Sequence, residues 1–458
     1  MGALLQRLFD RQDDGLPYLT YRQETVTRGD LRDREARQAK AFAGYGIGPG
    51  STVGLRTPPS FTQVEVLLAL WRLGAQVMLF DFRLKPAEVD TLCASCRPQF
   101  MVRAGSNVRA AFGFRPEYEV VTERRGDGRP ATTGHRMVQF SSGSTGRPKV
   151  IGRTARSLAV EVERFTRIPG MPGEGDRLLL LSSTAHSFGL IGGLLHSLAA
   201  GVSVVFTPRV SARDILRTAV DHRITALFAV PMHYELLAAA ISPPELPELR
   251  VAVSGGELMP PKVATRFAER YGVPVGESYG TTETGVTAMD VSGALRPSVG
   301  RTAPGVVVRE HKGELDVALD ESPYLFDSGG TQYADGWLHT RDRATVDGTG
   351  VVHVHGRADS LVVIGGLKVD LTEVENVLRE HPAVEQAVLV HDGTTEAYVA
   401  VAAGDEQPTA EELLRWCRER LADYKLPRVI RLLESLPRTA NGKLVRQAST
   451  LHAASEIR

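Results

Sequence analysis

Short apolar runs and amphipathic segments alternate along roughly the first 280 residues of the chain. A short apolar run is typical of a buried strand, and a longer segment with apolar positions three and four residues apart is typical of a helix. The predicted strands are Tyr18–Tyr21, Ser51–Leu55, Gln76–Phe80, Arg177–Leu181, Val202–Phe206, Ala226–Val230, Val251–Ser254 and Val273–Tyr279. The predicted helices include Phe61–Leu73, Phe188–Ala199, Ala212–His222 and Pro261–Tyr271. This alternation indicates an α/β fold, with parallel-type sheets and helices packed on their faces.

The pattern changes in the last third of the chain. After Gly300 the predicted strands are short and punctuated by Gly and Asp, as in Gly313–Leu319, which indicates a small β subdomain. Thr372–Glu375 has the spacing of a capping box that opens an amphipathic helix. Two strands and a helix follow, at Val384–Val390, Glu396–Ala402 and Ala410–Leu421. We therefore predict a large N-terminal domain over residues 1–358 and a small α+β C-terminal domain over residues 359–458.

Composition excludes several kinds of partner and compartment. The 458 residues contain 54 Lys and Arg against 54 Asp and Glu, so the chain carries no basic footprint for nucleic acid or an acidic membrane. No apolar run approaches the length of a membrane helix, and Met1–Arg7 has no apolar run of signal-peptide length. With only three cysteines a disulfide framework is not expected, and we predict a cytoplasmic protein. Cys93 and Cys96 lack a second ligand pair, so we interpret them as buried apolar residues rather than as a metal or redox site.

The richest chemistry lies in Phe140–Lys149, which reads Phe-Ser-Ser-Gly-Ser-Thr-Gly-Arg-Pro-Lys. Glycines allow backbone N–H groups to converge, hydroxyls add donors, and Arg147 and Lys149 add positive charge. Such a loop suits a polyphosphate. It is not a Walker A loop, because Arg147-Pro148 separates the second glycine from the lysine. Taken alone, the stretch favours this interpretation only modestly over a Ser/Gly-rich surface turn.

Four further segments follow this stretch in order and give it a context. They are Gly276–Glu283 (Gly-Glu-Ser-Tyr-Gly-Thr-Thr-Glu), Tyr333–Asp342, Gly356–Asp359 and Pro437–Lys443. Together with Phe140–Lys149 they resemble the signature motifs of the adenylate-forming superfamily, which includes acyl-CoA synthetases, aryl-acid ligases, peptide-synthetase adenylation domains and luciferases. The resemblance extends from about Tyr18 to Arg446, nearly the whole chain.

The resemblance implies a two-step reaction. A carboxylic acid and ATP, with Mg²⁺, would give acyl-AMP and pyrophosphate, and a thiol of CoA or of an acyl carrier protein's phosphopantetheine would then take the acyl group. The motifs imply that Lys443 bridges the attacking carboxylate and the α-phosphate, and that Thr282 and Glu283 bind a phosphate oxygen and the metal. The implied ATP-binding residues are Ser141, Ser142, Gly143, Ser144, Thr145, Gly146, Lys149, Gly256, Glu257, Tyr279, Asp342 and Arg357. In this family the small domain is mobile, with Asp359 at the hinge, and Gly365-Gly366 would line a tunnel for pantetheine.

The sequence says least about the carboxylic acid substrate. By resemblance, His186, Ser187, Leu190, Gly255 and Gly280 would line the substrate pocket. Members that activate amino acids usually carry an Asp at the position of Ser187, so an α-amino acid is not expected, but aryl and alkyl acids both remain open. Two departures from the family stand out: Arg341 replaces a usual glycine, and the stretch between Leu315 and Tyr333 is shortened. An adenylate-dependent amide ligase, a luciferase-type oxygenase and a non-catalytic acyl or nucleotide sensor remain as alternatives.

Overall fold

The structure is a computed structural model that describes residues 2–9, 13–84, 86–105, 114–141, 149–326, 332–364, 367–401, 407–421, 423–439 and 442–456. The helices are α1 Gly2–Phe9, α2 Arg28–Gly44, α3 Phe61–Arg72, α4 Pro86–Cys96, α5 Ala155–Arg167, α6 His196–Ala200, α7 Ala212–Asp221, α8 Pro231–Ala238, α9 Pro261–Tyr271, α10 Leu371–Glu380, α11 Ala410–Arg418 and α12 Ala448–Glu456.

Strands outnumber helices in the described ranges, and they are short. In chain order they are β1 Pro17–Tyr21, β2 Glu24–Thr27, β3 Thr52–Arg56, β4 Gln76–Leu79, β5 Phe100–Ala104, β6 Val120–Arg124, β7 His135–Ser141, β8 Lys149–Thr154, β9 Arg177–Leu180, β10 Ser203–Phe206, β11 Ala226–Ala229, β12 Val251–Gly255, β13 Val275–Thr281, β14 Gly285–Asp290, β15 Arg301–Thr302, β16 Val308–His311, β17 Glu314–Ala318, β18 Tyr333–Ala334, β19 Trp337–Val346, β20 Val352–Arg357, β21 Leu361–Ile364, β22 Leu367–Asp370, β23 Val384–Asp392, β24 Thr394–Val401 and β25 Val429–Leu433.

The chain divides into two compact units. The large unit comprises Met1–Arg309, Asp316–Thr340 and Val346–His353, and the small unit comprises Glu310–Leu315, Arg341–Thr345 and Val354–Arg458.

The large unit is built on two sheets. A nine-stranded sheet has the order β15-β14-β13-β12-β11-β9-β10-β1-β2, and its inner strands from β13 to β1 pair in parallel. A six-stranded sheet has the order β6-β5-β3-β4-β7-β8, with a parallel centre and antiparallel edge strands. The predicted α/β class with parallel-type sheets is confirmed.

Helix α3 packs with residues of both sheets in one continuous apolar core. Almost its whole length is buried. Ser60 begins the helix, because its hydroxyl accepts a hydrogen bond from the Gln63 N–H. Trp71, which is fully buried near the end of the helix, donates its ring N–H to the Arg136 carbonyl at 3.0 Å. The unbroken run of buried apolar residues over Val66–Trp71 does not fit a surface helix and is expected in the interior of a large protein.

The segment predicted as one helix over Phe188–Ala199 has two parts. Phe188–Leu195 is a π-helical segment, and α6 continues it at His196. Close approach explains the two inner glycines: a Cβ at Gly192 would lie 2.8 Å from the Phe165 ring, and one at Gly193 would lie 2.7 Å from Leu180. π-helical turns often occur at functional sites, and this one directly follows His186 and Ser187.

The remaining sheets are smaller. A five-stranded sheet has the order β16-β17-β19-β18 with β20 beside β19, in accord with a small β subdomain. Strands β21 and β22 form a hairpin, and β23, β24 and β25 form a three-stranded sheet against which α10 and α11 pack. The prediction of a capping box at Thr372–Glu375 is wrong. Helix α10 begins at Leu371, and Asp370 caps it by accepting from the Thr372 N–H, because this carboxylate stands one residue before the helix.

Two predictions from composition can be compared with the described ranges. No helix there is both long and apolar enough to cross a membrane. Cys93, Cys96 and Cys417 are free and buried. Burial raises the pKa of the Cys96 thiol to about 12, which suits an unreactive apolar role.

Candidate active site

The carboxyl ends of β12 and β13 bring two predicted segments to one edge of the nine-stranded sheet. The strands pair in parallel with Gly255 opposite Ser278, so Gly256 and Glu257, which follow β12, lie at the same edge as the last residues of β13, Tyr279–Thr281. Ligands of open α/β sheets bind at this kind of edge. Gly256 has a φ of +91°, a conformation that favours glycine, and it turns the chain immediately after the strand.

A tight turn presents Thr282 and Glu283 between β13 and β14. The Thr281 N–H donates to the Thr284 hydroxyl at 3.1 Å, and the Thr284 N–H donates to the Thr281 hydroxyl at 3.2 Å. Gly280 is required by close packing, because a Cβ there would lie 2.1 Å from the Gly285 carbonyl oxygen. The half-buried Glu283 carboxylate is therefore held on a rigid turn at the sheet edge.

Lys149 follows the predicted phosphate loop and is the first residue of β8. Strands β7 and β8 pair with Ser141 opposite Lys149, so the two ends of the loop are adjacent. Ser142, Gly143, Ser144, Thr145 and Gly146 lie outside the described residues, as does the side chain of Ser141, and their role in ATP binding stays a prediction.

Two side chains, Gln332 and Tyr324, connect Lys149 to Glu283. The Lys149 ammonium donates to the Gln332 side-chain oxygen, and the Tyr324 hydroxyl lies 2.8 Å from that same oxygen. The Tyr324 hydroxyl also lies 3.1 Å from Glu283 Oε1. A cation at the end of the predicted phosphate loop and a carboxylate suited to a hard metal ion thus belong to one cluster.

A buried ion pair ties the strand after the phosphate loop to the strand after Glu283. Arg153 on β8 contacts Glu161 on α5 at 2.5 Å, and both side chains are almost fully buried. The other oxygen of Glu161 accepts from the Val286 N–H on β14 at 3.1 Å. Gly285 makes this possible, since a Cβ there would lie 2.2 Å from a Glu161 oxygen. Sequence patterns alone did not identify this connection, because the contacts join segments far apart in the chain.

The predicted acid pocket is organised around Gln139, just before the phosphate loop. Ser187 donates its hydroxyl to the Gln139 side-chain oxygen at 2.9 Å, and the Gln139 amide donates to the Ala185 carbonyl at 2.7 Å. Ser187 and Gln139 therefore form a neutral hydrogen-bonded pair. Leu190 is buried in the core, whereas His186 and Ser187 are half-buried.

An aromatic wall covers Gly255. The ring of Phe188 stacks on that of Phe228 with a centroid distance of 5.3 Å and an interplanar angle of 14°. A Cβ at Gly255 would lie 2.7 Å from the Phe188 ring, so the glycine lets the ring approach the strand end.

His186 stands beside Asp81, with 3.9 Å between His186 Nε2 and Asp81 Oδ2. Burial of Asp81 disfavours its charged form, but hydrogen bonds from Arg83 outweigh it and hold the pKa of this carboxyl well below its usual range. Asp81 is thus an anion beside the His186 ring.

The small unit carries the other predicted residues. Arg357 donates to Asp342 at 3.3 Å, so the two residues predicted to bind ribose or phosphate are in contact, and Asp342 is buried. Arg341, which replaces the usual glycine, adopts a φ of +60°. Asp359 lies in a short 3₁₀ turn, Ala358–Ser360, but its side chain lies outside the described residues, as do Gly365 and Gly366.

Lys443 is exposed on a hydrogen-bonded turn. The Thr439 N–H donates to the Lys443 carbonyl at 2.7 Å, and the Arg438 guanidinium donates to the Gly442 carbonyl at 2.7 Å. Three residues later, Arg446 binds the buried Glu375 carboxylate through both oxygens, one contact measuring 2.8 Å. Lys443 is therefore solvent-accessible on a backbone fixed from both sides.

Comparison with known proteins gives one consistent family. Residues 9–315 match the family described as AMP-binding enzyme, and residues 373–443 match the AMP-binding enzyme C-terminal domain. The chain is 27% identical over 460 residues to a feruloyl-CoA synthase of Amycolatopsis, with 92% of each chain covered. It is 26% identical over 483 residues to a 3-hydroxybenzoate–CoA/4-hydroxybenzoate–CoA ligase of Thauera aromatica, covering 92% of this chain and 91% of the relative.

Among solved structures, the O-succinylbenzoate coenzyme A synthetase of Bacillus subtilis in complex with AMP is similar, with a TM-score of 0.79 and 25% identity. The similarity covers 97% of this chain and 96% of that one.

Proposed function

The chain belongs to the family of AMP-binding enzymes, and we propose that it is an AMP-forming acid–thiol ligase acting on a carboxylic acid other than an α-amino acid. In the first step a carboxylate oxygen attacks the α-phosphorus of ATP, and the bond from that phosphorus to the bridging oxygen breaks to release pyrophosphate. In the second step a thiol sulfur attacks the acyl carbon of acyl-AMP, loses its proton to the medium, and AMP leaves.

The observation that carries the proposal is the cluster that brings Lys149 and Glu283 together at the strand ends of the large unit. A triphosphate with its magnesium ion needs a cation for the phosphate oxygens and a hard carboxylate for the metal. Glu283 would hold Mg²⁺, Thr282 would contact a phosphate oxygen, and Lys149 would screen the triphosphate. Tyr279, Gly256 and Glu257 would contact the adenine. Their position at the carboxyl ends of β12 and β13 supports this role.

The residues of the small unit complete the proposed roles. The Asp342 carboxylate would accept hydrogen bonds from the ribose hydroxyls, and Arg357, which already contacts it, would donate to ribose or phosphate. Lys443 would bridge the attacking carboxylate and the α-phosphate and so stabilise the charge that develops during adenylation. Asp359 as a hinge and Gly365-Gly366 as a pantetheine tunnel remain part of the proposal on the strength of the family motifs.

We propose an aryl carboxylic acid as the substrate class. The half-buried Phe188 ring lies at Gly255 and stacks on the fully buried Phe228 ring, and a flat apolar ring suits an aromatic substrate in offset stacking. Ser187 and Gln139 satisfy each other as neutral groups and provide no anion for an α-ammonium group. The names of the two curated relatives, which refer to ferulate and hydroxybenzoates, support the same class.

The test is a pyrophosphate-release screen on the full chain with MgATP. Substituted benzoates and cinnamates, straight-chain fatty acids and α-amino acids are compared, each with and without CoA, and products are identified by mass spectrometry. We expect aryl acids to give the fastest release and CoA to yield an aryl thioester. Release with α-amino acids alone, or no acid-dependent release at all, would refute the proposal. Thioester on a phosphopantetheinylated carrier but not on CoA would identify the carrier as acceptor, and an amide product would identify an amide ligase.

A further inference from the structure

Tyr324 and Gln332 come from the stretch that is shortened relative to the family motifs, and no role follows for them from those motifs. Each nevertheless contacts a residue of the proposed nucleotide site. The Tyr324 hydroxyl lies 3.1 Å from Glu283 Oε1 and 2.8 Å from Gln332 Oε1, and the Lys149 ammonium donates to that same Gln332 oxygen. Gln332 is buried, with 8% of its surface exposed.

The backbone fixes Tyr324 next to the strand that leaves the phosphate loop. The Leu325 N–H donates to the Val150 carbonyl at 2.8 Å, and the Gly152 N–H donates to the Pro323 carbonyl at 2.8 Å. Tyr324 itself faces Ile151 in an antiparallel bridge. The shortened stretch thus adds a brief edge pairing to β8, and the Tyr324 side chain links Glu283 to Gln332, which Lys149 contacts.

The Tyr324 hydroxyl has one proton and two acceptors within hydrogen-bond distance. A tyrosine hydroxyl carries one proton, whereas the oxygens of Glu283 and Gln332 are both acceptors. The Tyr324 hydroxyl therefore cannot donate fully to both at once. A magnesium ion on Glu283 would satisfy that carboxylate, and the hydroxyl proton could then serve Gln332, whose oxygen would lose the Lys149 ammonium to a phosphate.

We propose that Tyr324 is a positioning residue for the magnesium nucleotide: its hydroxyl orients Glu283 for the metal and, through Gln332, keeps Lys149 within reach of the phosphates. Tyr324 acts through Glu283 and Lys149 rather than on the reacting atoms. The ring also lies 5.8 Å from the Lys149 ammonium, a distance at which an aromatic face attracts a cation. The inference rests on the proposed function, since it assumes that ATP binds at this cluster.

Direct binding tests the inference without requiring turnover. ATP is titrated by calorimetry into the full chain, once with Mg²⁺ and once with EDTA, for the wild type, Tyr324→Phe and the control Tyr271→Phe. Tyr271 also loses a hydroxyl that donates to a backbone carbonyl, that of Leu237 at 2.9 Å, but it lies outside the cluster. Tyr324→Phe keeps the ring near Lys149 and removes only the hydroxyl. We expect it to weaken ATP binding about tenfold with Mg²⁺, the equivalent of one hydrogen bond to a charged group, and about twofold or less in EDTA.

A double-mutant cycle separates positioning from general damage. If Tyr324 acts through Glu283, the Mg²⁺-dependent loss caused by Tyr324→Phe disappears in a Glu283→Gln background. Additive losses, or a Tyr324→Phe chain that binds ATP like the wild type under both conditions, would overturn the inference while leaving the proposed function intact. A wild-type chain that binds no ATP would overturn both.

A second variant covers the case in which Tyr324→Phe does not fold. Gln332→Glu is nearly isosteric and gives Lys149 a carboxylate partner in place of a neutral amide. The ammonium must then leave an ion pair to reach a phosphate. We expect ATP affinity in EDTA to fall about tenfold or more, and unchanged affinity would place Lys149 away from the phosphates and refute the arrangement.

Discussion

Replacing Glu375 by glutamine tests how the small unit holds the backbone that carries Lys443. The Glu375 side chain is fully buried on α10 and accepts hydrogen bonds from three directions: Arg446 binds both oxygens, the Leu389 N–H donates at 2.9 Å, and Arg379 contacts one oxygen at 3.4 Å. Glutamine keeps the volume and one acceptor oxygen, but its amide group directs N–H donors toward a guanidinium. The change therefore removes the anion on which the arrangement depends.

The structure sets the size of the effect. Removing one partner of a buried ion pair costs roughly 3–5 kcal/mol, because the other charge is left uncompensated. Half of the Arg446 side chain is exposed, so water can solvate its guanidinium in the variant and the cost belongs at the lower end. We expect the free energy of local unfolding in the small unit to fall by about 3 kcal/mol, which corresponds to roughly a hundredfold loss of amide protection.

Hydrogen exchange on the full chain measures this loss peptide by peptide. We expect faster exchange across β23 and β24 and in residues 442–456, with unchanged protection in the sheets of the large unit. Glu385→Gln is the matched control, because Glu385 loses the same charge from an exposed position on β23. Protection within about threefold of the wild type throughout the small unit would refute the reasoning, since an anion with these contacts cannot be lost at so small a cost.

Three further changes have distinct expected outcomes. Lys443→Ala should abolish adenylation while thioester formation from supplied acyl-AMP continues, with the exposed Lys40→Ala as control; equal loss of both half-reactions would contradict the proposed role. Gly255→Ala should force the Phe188 ring to move, because a Cβ would lie 2.7 Å from it, and we expect the KM for the acid to rise about tenfold with the KM for ATP unchanged. His196 should make stability depend on pH: burial lowers its pKa to about 4 from 6.5, so the unfolded chain binds the extra proton and the free energy of unfolding falls by up to roughly 3 kcal/mol as pH drops through that window. Denaturant titrations should show His196→Gln without this slope, and an unchanged slope would exclude His196 as its cause.

Much of the fold could be predicted from the sequence because its signals are local. The apolar runs of β3, β4, β9 and β12 lie within a residue or two of their predicted positions, since a strand buried on both faces needs a continuous apolar run. The strand-end position of Tyr279–Glu283 also followed from the α/β pattern. The cap of α10 was misassigned because Asp370 and Thr372 are both good capping residues, and only the backbone decides between them.

The contacts that organise the candidate site could not be predicted in the same way. Lys149 and Gln332 are 183 positions apart, and Val286 and Glu161 are 125 positions apart. No periodicity in the sequence encodes such pairings, because each depends on how two sheets and their connecting loops pack. Gly285, two residues after Glu283, carries a local signal: a glycine at a strand marks a close approach, which the structure identifies as the Glu161 carboxylate.

Strand β8 shows how the proposed phosphate site would combine one fixed cation with one that can exchange partners. Arg153 is held by the buried Glu161 carboxylate, which also accepts from the Val286 N–H, and releasing it would leave a buried charge unpaired. Lys149, four residues earlier, donates to a neutral amide oxygen. An ammonium gains more from a phosphate oxygen than from an amide, so a bound phosphate would take the place of Gln332 at Lys149 while Arg153 keeps the strand in place. The proposed loop needs one cation that stays in place, Arg153, and one that can move to the phosphates, Lys149. A bound phosphate can replace only those contacts that are weaker than the ones it makes itself.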